Sequence, residues 1–337
     1  MVDKNSSISN SNRSEKLPKA LLLTLAFILM TELSLGFYLK KNDLWNSVLP
    51  NYVQDVLNFN DVSPEENTEV IVLGDSTARL LKGLCGGDSP VENFSTNANA
   101  TLAGHYFLLR DAYRNGLNPR FVILLFSIGG LYWEIDIPTD HWHADNYLYK
   151  PFFSTENIAE LTFETQRPDM GWNMFMRGGT PTIRYRHEMI KFLKNKKIIK
   201  DHPQITAPIS KQKNSYSLRN YFIKNYTDKP NYSKGMTNHY FKKIAELAKE
   251  NNSKLIFIET YVPQSKYQRE DGNLKTDYKY FVKTLLNNKD NLSQVILRKF
   301  QYPDSHFFDQ THLANKHSIK DFSTKTCSLI KGFLKNN

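Results

Sequence analysis

The chain has 337 residues, enough for one large domain or two ordinary ones, and its apolar content suffices for a core, which excludes a wholly disordered protein. A formal charge of +10 is carried by scattered lysines, clustered mainly at Lys191 to Lys200 and toward the C-terminus. No nucleic-acid motif accompanies them, so the pattern suits solvated faces near an anionic membrane or polymer and argues against nucleic-acid binding.

Residues 1–16 are polar, rich in Ser and Asn, and read as a disordered tail. From Ala20 to Leu39 the chain is apolar apart from Glu32, and about 20 helical residues cross a hydrocarbon core of roughly 30 Å. Residues 17–39 are therefore expected to form a transmembrane anchor. A cleaved signal peptide is the rival reading, but no small-residue cleavage pattern follows the apolar stretch. Lys4, Arg13, Lys16 and Lys19 precede the span and Lys40 and Lys41 follow it, which favours a cytoplasmic tail with the rest of the chain outside. Glu32 lies past the middle of the span, where a charge is costly unless it faces a partner helix. Residues 40–68, with some amphipathic character from Leu44 to Phe59, read as a stalk leading into a domain over 69–337.

That domain opens on Val70-Ile71-Val72-Leu73, a run short enough for a buried strand, which stops at Gly74-Asp75-Ser76 before a segment with helical spacing of Ala and Leu. A serine on such a turn sits at the carboxyl end of a strand and the amino end of a helix, where backbone N–H groups can stabilise an oxyanion. Ser76 is therefore a candidate nucleophile; the competing reading is that Asp75 or Ser76 only caps the next helix. Val91 to Ser95 reads as a second strand, Thr101 to Asn115 as a helix ending at Gly116, and Phe121 to Phe126 as a central parallel strand. Met236 to Asn251 reads as a helix, Lys254 to Thr260 as a buried strand, Asp277 to Asn287 as helical, Gln294 to Arg298 as a short strand and Ser318 to Leu334 as an amphipathic terminal helix. Alternating strands and helices predict an α/β domain with a mostly parallel sheet.

Residues 131–234 fit that alternation poorly. The interval is aromatic and polar, with Trp133, Trp142, Tyr147, Tyr149, Phe152, Phe153, Trp172 and Phe175, then a basic helix-like piece from Arg184 to Lys200. It reads as a loop-rich insertion, either a lid or substrate platform or a packing layer.

A serine nucleophile needs a base and the base an orienting group. In Phe307-Phe308-Asp309-Gln310-Thr311-His312-Leu313, Asp309 stands three residues before His312, so one short loop can carry both an imidazole and the carboxylate that fixes its tautomer. Asp309 as a helix cap is the alternative, and His306 and His317 are neighbouring competitors. His141 and His143, with Asp140 and Asp145, admit a metal site, but alternate histidines around Trp142 suit a sugar-binding or lid loop as well. The preferred reading has no metal and no cofactor.

Gly74-Asp75-Ser76 after the first strand, together with Asp309-Gln310-Thr311-His312-Leu313, resembles the SGNH (GDSL-like) hydrolase superfamily over about Glu69 to Leu334, minus the insertion. The resemblance implies a flavodoxin-like three-layer α/β/α sandwich, with Ser76 as acyl-accepting nucleophile, His312 as base and Asp309 as its orienting acid. Two family motifs are altered. The oxyanion glycine of the second is missing from Asn93-Phe94-Ser95-Thr96-Asn97-Ala98-Asn99, and the third is replaced by Ser127-Ile128-Gly129-Gly130. The Ser76 N–H, an Asn97 or Asn99 side chain, and a Gly129 or Gly130 N–H are the substitutes expected.

An N-terminal anchor with an outward SGNH-like domain is similar to the branch that modifies bacterial envelopes. That likeness implies an inner- or cytoplasmic-membrane protein with its catalytic domain periplasmic or at the cell surface. It would be an O-acyltransferase or esterase on an envelope polysaccharide, working beside a multi-pass membrane acyltransferase. A plain tethered esterase, and an inactive scaffold or glycan-binding partner, are the alternatives. In a sandwich of this kind the helices after Ser76 and after His312 can be neighbours, which implies a Cys85–Cys327 disulfide; two separately buried cysteines are the other option.

Overall fold

Three apolar runs leave no polar face for water, and each becomes an inner strand. In the computed structural model of the chain the described residues are 13–57, 68–81, 85, 90–97, 100–127, 144–186, 188, 232–264, 290, 292–297, 299–307 and 312–335. Strands β1 (Val70–Gly74), β2 (Val91–Asn93), β3 (Phe121–Phe126), β4 (Lys254–Glu259) and β6 (Gln294–Ile296) form one all-parallel sheet in the order β2-β1-β3-β4-β6. Strands β1 and β3 are buried throughout and β4 from its second residue, whereas the short edge strands β2 and β6 are partly exposed. Parallel strands covered on both faces carry such continuous apolar runs. A separate two-stranded parallel piece pairs β5 (Val262–Pro263) with β7 (Gln301–Tyr302).

Alternate residues of each strand point to opposite faces, and the core divides accordingly. Val72, Ile123, Leu125, Ile256 and Ile258 pack with Phe322, Ile330 and Phe333 of the terminal helix. Ile71, Leu73, Val122, Leu124, Leu255 and Phe257 pack with two other helices on the opposite side. These are α3 (Thr101–Arg114), which stops at Gly116 with a left-handed φ of 88°, and α7 (Tyr232–Glu250). The fold is therefore α/β, with a parallel sheet covered on both faces. The helix expected over residues 277–287 lies outside the described residues.

The described part of the insertion, 144–186, is helical where loops were expected. It runs through a π-helical turn at Asp145–Tyr149, α4 (Thr155–Ala159), a π turn at Glu160–Glu164, α5 (Pro168–Asn173), a π turn at Met174–Gly179 and α6 (Pro181–Arg184). Each π turn shifts the helical phase, so no 3.6-residue periodicity survives over the interval. Leu148, Leu161, Met170 and Met174 nevertheless join the core beneath α3 and α7. Arg110 of α3 donates to Asn157 Oδ1 (2.6 Å) and Glu160 (3.4 Å), and Lys243 of α7 pairs with Glu160 (3.0 Å) and Glu164 (2.5 Å).

Helix α1 (Arg13–Lys41) contains Lys19–Lys41, the one stretch among the described residues that is long and apolar enough to cross a membrane. The segment read as a stalk packs on the domain over its described part. Leu49, Val53 and Val56, the latter two on α2 (Asn51–Leu57), are buried, and Leu49 and Val53 meet Ala100 and Tyr147. Arg184, fully buried, donates to the carbonyls of Trp45 (2.9 Å), Lys150 (2.9 Å) and Gly178 (2.8 Å) and to Asn46 Oδ1 (3.0 Å).

Candidate functional site

The strand order reverses between β1 and β3, and crevices at the carboxyl ends of strands at such a point are where ligands bind in open parallel sheets. Gly74, Asp75 and Ser76 occupy that position, each with a separate task. A Cβ on Gly74 would lie 2.4 Å from the Leu125 carbonyl oxygen and 2.5 Å from Ala78 Cβ, so only glycine allows β1 and β3 to approach here. Asp75 is buried. Its Oδ1 accepts from the N–H (2.9 Å) and hydroxyl of Thr77, and its Oδ2 from the N–H (3.1 Å) and hydroxyl (2.8 Å) of Ser127. The carboxylate thus ties the turn after β1 to the chain leaving β3, and Ser76 stands between, partly exposed.

The helix expected after Ser76 is a single 3₁₀ turn, Ala78–Leu81. Among the described residues this turn is four residues long and carries only a small aligned dipole, which leaves local N–H groups as the donors nearest Ser76. The Asp75 side chain satisfies the Thr77 N–H and the Asp75 carbonyl accepts from Ala78 N–H (3.1 Å), which closes a tight turn instead of a longer helix.

His312 arrives from the other end of the chain. Phe307 and Leu313 form an antiparallel bridge, and the His306 carbonyl accepts from the Ala314 (2.8 Å) and Asn315 (3.2 Å) N–H groups. Leu313 is buried in the core face that includes Tyr261 and Phe322, which anchors the return strand beside His312. Asn315 then caps α8 (Lys316–Lys335), its Oδ1 accepting from the N–H groups of His317 (3.0 Å) and Ser318 (3.1 Å). Within this frame Ser76 Oγ and His312 Nε2 lie 2.8 Å apart, although 236 positions separate them in sequence. Both are partly exposed, so the pair is open to solvent.

The competing histidines are placed elsewhere. His306 Nδ1 is 2.7 Å from Ser318 Oγ, and His317 is exposed at the start of α8. Asp309, Asn99, Gly129 and Gly130 lie outside the described residues, as do His141, His143 and Asp140. Asp145, named with those histidines as a metal candidate, is buried and paired with Arg177 (2.8 Å) and Arg186 (2.9 Å). Asn97 follows Thr96, whose N–H donates to the Gly74 carbonyl (2.9 Å), so it sits one residue beyond the point where the β2 chain meets the turn. Among the described residues one group, Glu160, Glu164 and His239, has metal-ligand spacing, and there the Lys243 ammonium already supplies the cation.

Cys85 and Cys327 are joined in a disulfide, with Cα atoms 5.5 Å apart and 242 positions between them. One end lies shortly after the Ser76 turn and the other on the helix that begins just after His312. The staple therefore spans the same two ends of the chain that the Ser76–His312 contact joins.

The hydroxyls of Thr77 and Ser127, which with the backbone hold Asp75, are the residues that motif reading missed. Small hydroxyl side chains give no pattern of their own, and only the folded contact, Ser127 N–H and hydroxyl on Asp75 Oδ2, reveals the role of Ser127. The chain matches no protein-family model, no curated protein and no solved structure in the comparisons made.

Proposed function

We propose that the chain is a membrane-anchored SGNH-type O-acyltransferase or esterase that works through an acyl-Ser76 intermediate on a cell-envelope glycan. The observation that carries this reading is the 2.8 Å contact between Ser76 Oγ and His312 Nε2 at the carboxyl edge of a parallel sheet. His312 takes the Ser76 proton as Oγ attacks an acyl carbonyl; the tetrahedral oxyanion is held by the Ser76 N–H with Asn97, Asn99, Gly129 or Gly130 as further donors. Collapse expels the alcohol, which His312 protonates. A sugar hydroxyl or water, deprotonated by the same imidazole, then attacks the acyl-serine and regenerates Ser76. Asp309 is assigned to orient His312.

A sheet in the order β2-β1-β3-β4-β6 with apolar layers on both faces is what a flavodoxin-like three-layer sandwich requires. The apolar helix supports a single-pass anchor, and the disulfide favours an oxidising compartment, hence an extracytoplasmic domain at the inner or cytoplasmic membrane. The polysaccharide acceptor and a multi-pass acyltransferase as acyl donor belong to the same proposal. Exposed Trp172 and Phe175 favour a second reading, an inactive SGNH-like scaffold that binds glycan on aromatic faces.

A fluorophosphonate probe on the full-length protein in detergent separates the two. Labelling that is lost in Ser76→Ala and falls at least about 10³-fold in His312→Ala fits a nucleophile with its base. An unlabelled wild type would leave the scaffold. Turnover of a simple aryl ester with no sugar present, as against glycan-dependent release, tells hydrolysis from transfer.

A further inference from the structure

The half of α1 nearest the domain is not clear of it. Glu32, Leu35, Gly36 and Leu39 recur at helical spacing and are covered or partly covered, whereas Leu33, Phe37 and Tyr38 between them stay exposed. The Glu32 carboxylate accepts from the Thr182 N–H (3.2 Å) and from the Thr182 hydroxyl, and a Cβ on Gly36 would come within 3.3 Å of Pro181 Cγ. Positions 19–31 of the apolar stretch are exposed throughout, and Glu32 is the first that is partly covered. That length is roughly 20 Å of helix, about 10 Å short of a hydrocarbon core of roughly 30 Å. The whole stretch Lys19–Lys41 is long enough, but then helix α6, packed at Glu32, lies below the bilayer surface.

A second observation points the same way. Phe163, Trp172 and Phe175 are 77%, 62% and 48% exposed, the large apolar side chains of the described insertion that face outward. The Trp172 and Phe175 rings are 5.8 Å apart, and a Cβ on Gly171 would meet Thr162 Oγ1 at 1.9 Å, so the turn that carries Phe163 packs against the helix that carries Trp172. Phe175 belongs to the π turn that leads directly into α6. The neighbouring carboxylates carry their own cations, Glu164 from Lys243 and Asp169 from Arg167 (2.7 Å). Aromatic side chains on a surface with paired charges suit the boundary between headgroups and acyl chains.

We propose that the helical insertion is seated in the leaflet on the domain side of the membrane, with α6 against Glu32 inside the bilayer and Phe163, Trp172 and Phe175 in contact with lipid. The partner is the bilayer itself, and the patch is continuous with the membrane span through Pro181 and Thr182. The proposal rests on α1 being a membrane anchor.

The test uses the full-length protein in phosphatidylcholine vesicles, with acyl chains brominated or not. Trp172→Phe is expected to lose part of the emission that brominated lipid quenches, while quenching by aqueous acrylamide stays unchanged, and Phe163→Trp is expected to add lipid-quenched emission. Equal lipid quenching in the wild type and both variants overturns the seat, as does an emission change at Trp172 that appears only on adding polysaccharide. A carbonate wash distinguishes the two levels. Protein that stays in the membrane without quenching at position 172 refutes the seat alone, and protein that washes off refutes the anchor and the seat together.

Discussion

Asp75 at the sheet edge and Arg184 at the joint between the insertion and the segment after α1 are both buried charges held by neutral groups, and they are held in opposite ways. Asp75 accepts four hydrogen bonds from two residues, Thr77 and Ser127, which lie where neighbouring strands have already brought them. Arg184 reaches Trp45, Asn46, Lys150 and Gly178, segments as far as 139 positions away, and lies over the Trp45 ring at 4.5 Å. Burial pushes its guanidinium down to about 10. Where a sheet supplies the geometry, a short carboxylate is enough to lock one turn. Where short helices and π turns meet without a sheet, the five-donor fork of an arginine has to order the joint.

Breaking the two charges should have unequal consequences. Asp75→Ala removes the acceptor of four hydrogen bonds from Thr77 and Ser127, so a loss of about 3–5 kcal/mol is expected at roughly 1–3 kcal/mol per buried N–H that loses it. Fluorophosphonate labelling of Ser76 should vanish with it, even in protein that remains folded. Denaturant unfolding and labelling on the same sample check this, and labelling at the wild-type rate would end the view that Asp75 holds the reactive turn.

Arg184→Met keeps most of the apolar stem but strands three carbonyls, for an expected loss of about 2–4 kcal/mol. Well below its midpoint the variant should still label at Ser76, because the sheet edge does not depend on the joint. A parallel collapse of labelling would show that the two regions are coupled after all.

His105 sharpens the comparison from a third side, as a buried group with no hydrogen-bond partner among the described residues for either ring nitrogen. It packs edge-on against Phe126 at 5.0 Å, and burial pushes its pKa down to about 3. The folded state therefore refuses a proton that the unfolded chain accepts below its ordinary pKa near 6.5. Stability is fully present above that value and falls by at most about 1.4 kcal/mol per pH unit between 6.5 and 3. His105→Phe should remove this component, so wild type loses about 2–3 kcal/mol more than the variant between pH 7.5 and 4.5 in denaturant unfolding. Identical pH profiles would mean that His105 gains water or a partner in solution.

Much of the sheet edge was legible in advance because its signals are local. Val70 to Leu73, Phe121 to Phe126 and Leu255 to Ile258 are runs that only doubly covered strands sustain, and the glycine, aspartate and serine at 74–76 mark the turn by residue type alone, although their partners Leu125, Ser127 and His312 lie far along the chain. His312 was legible by its spacing from Asp309, and the structure brings His312 to Ser76, while Asp309 lies outside the described residues. The four-residue turn after Ser76 was not legible, because Ala and Leu spacing fits one helical turn as well as three. Nor was the joint at Arg184: its partners are main-chain carbonyls, which carry no residue identity, and the π turns hide the periodicity of the insertion. The two-residue strands β5 and β7 are too short for any alternation to show.

The disulfide sets an order of events. On the proposed topology, export delivers Ser76 first and His312 236 residues later, and the crosslink cannot close until Cys327 has followed. Under the proposed function a serine hydroxyl without its base is a weak nucleophile, so Ser76 is inert until His312 arrives. The crosslink and the Ser76–His312 contact therefore wait for the same C-terminal segment, and pairing of the two cysteines reports its arrival.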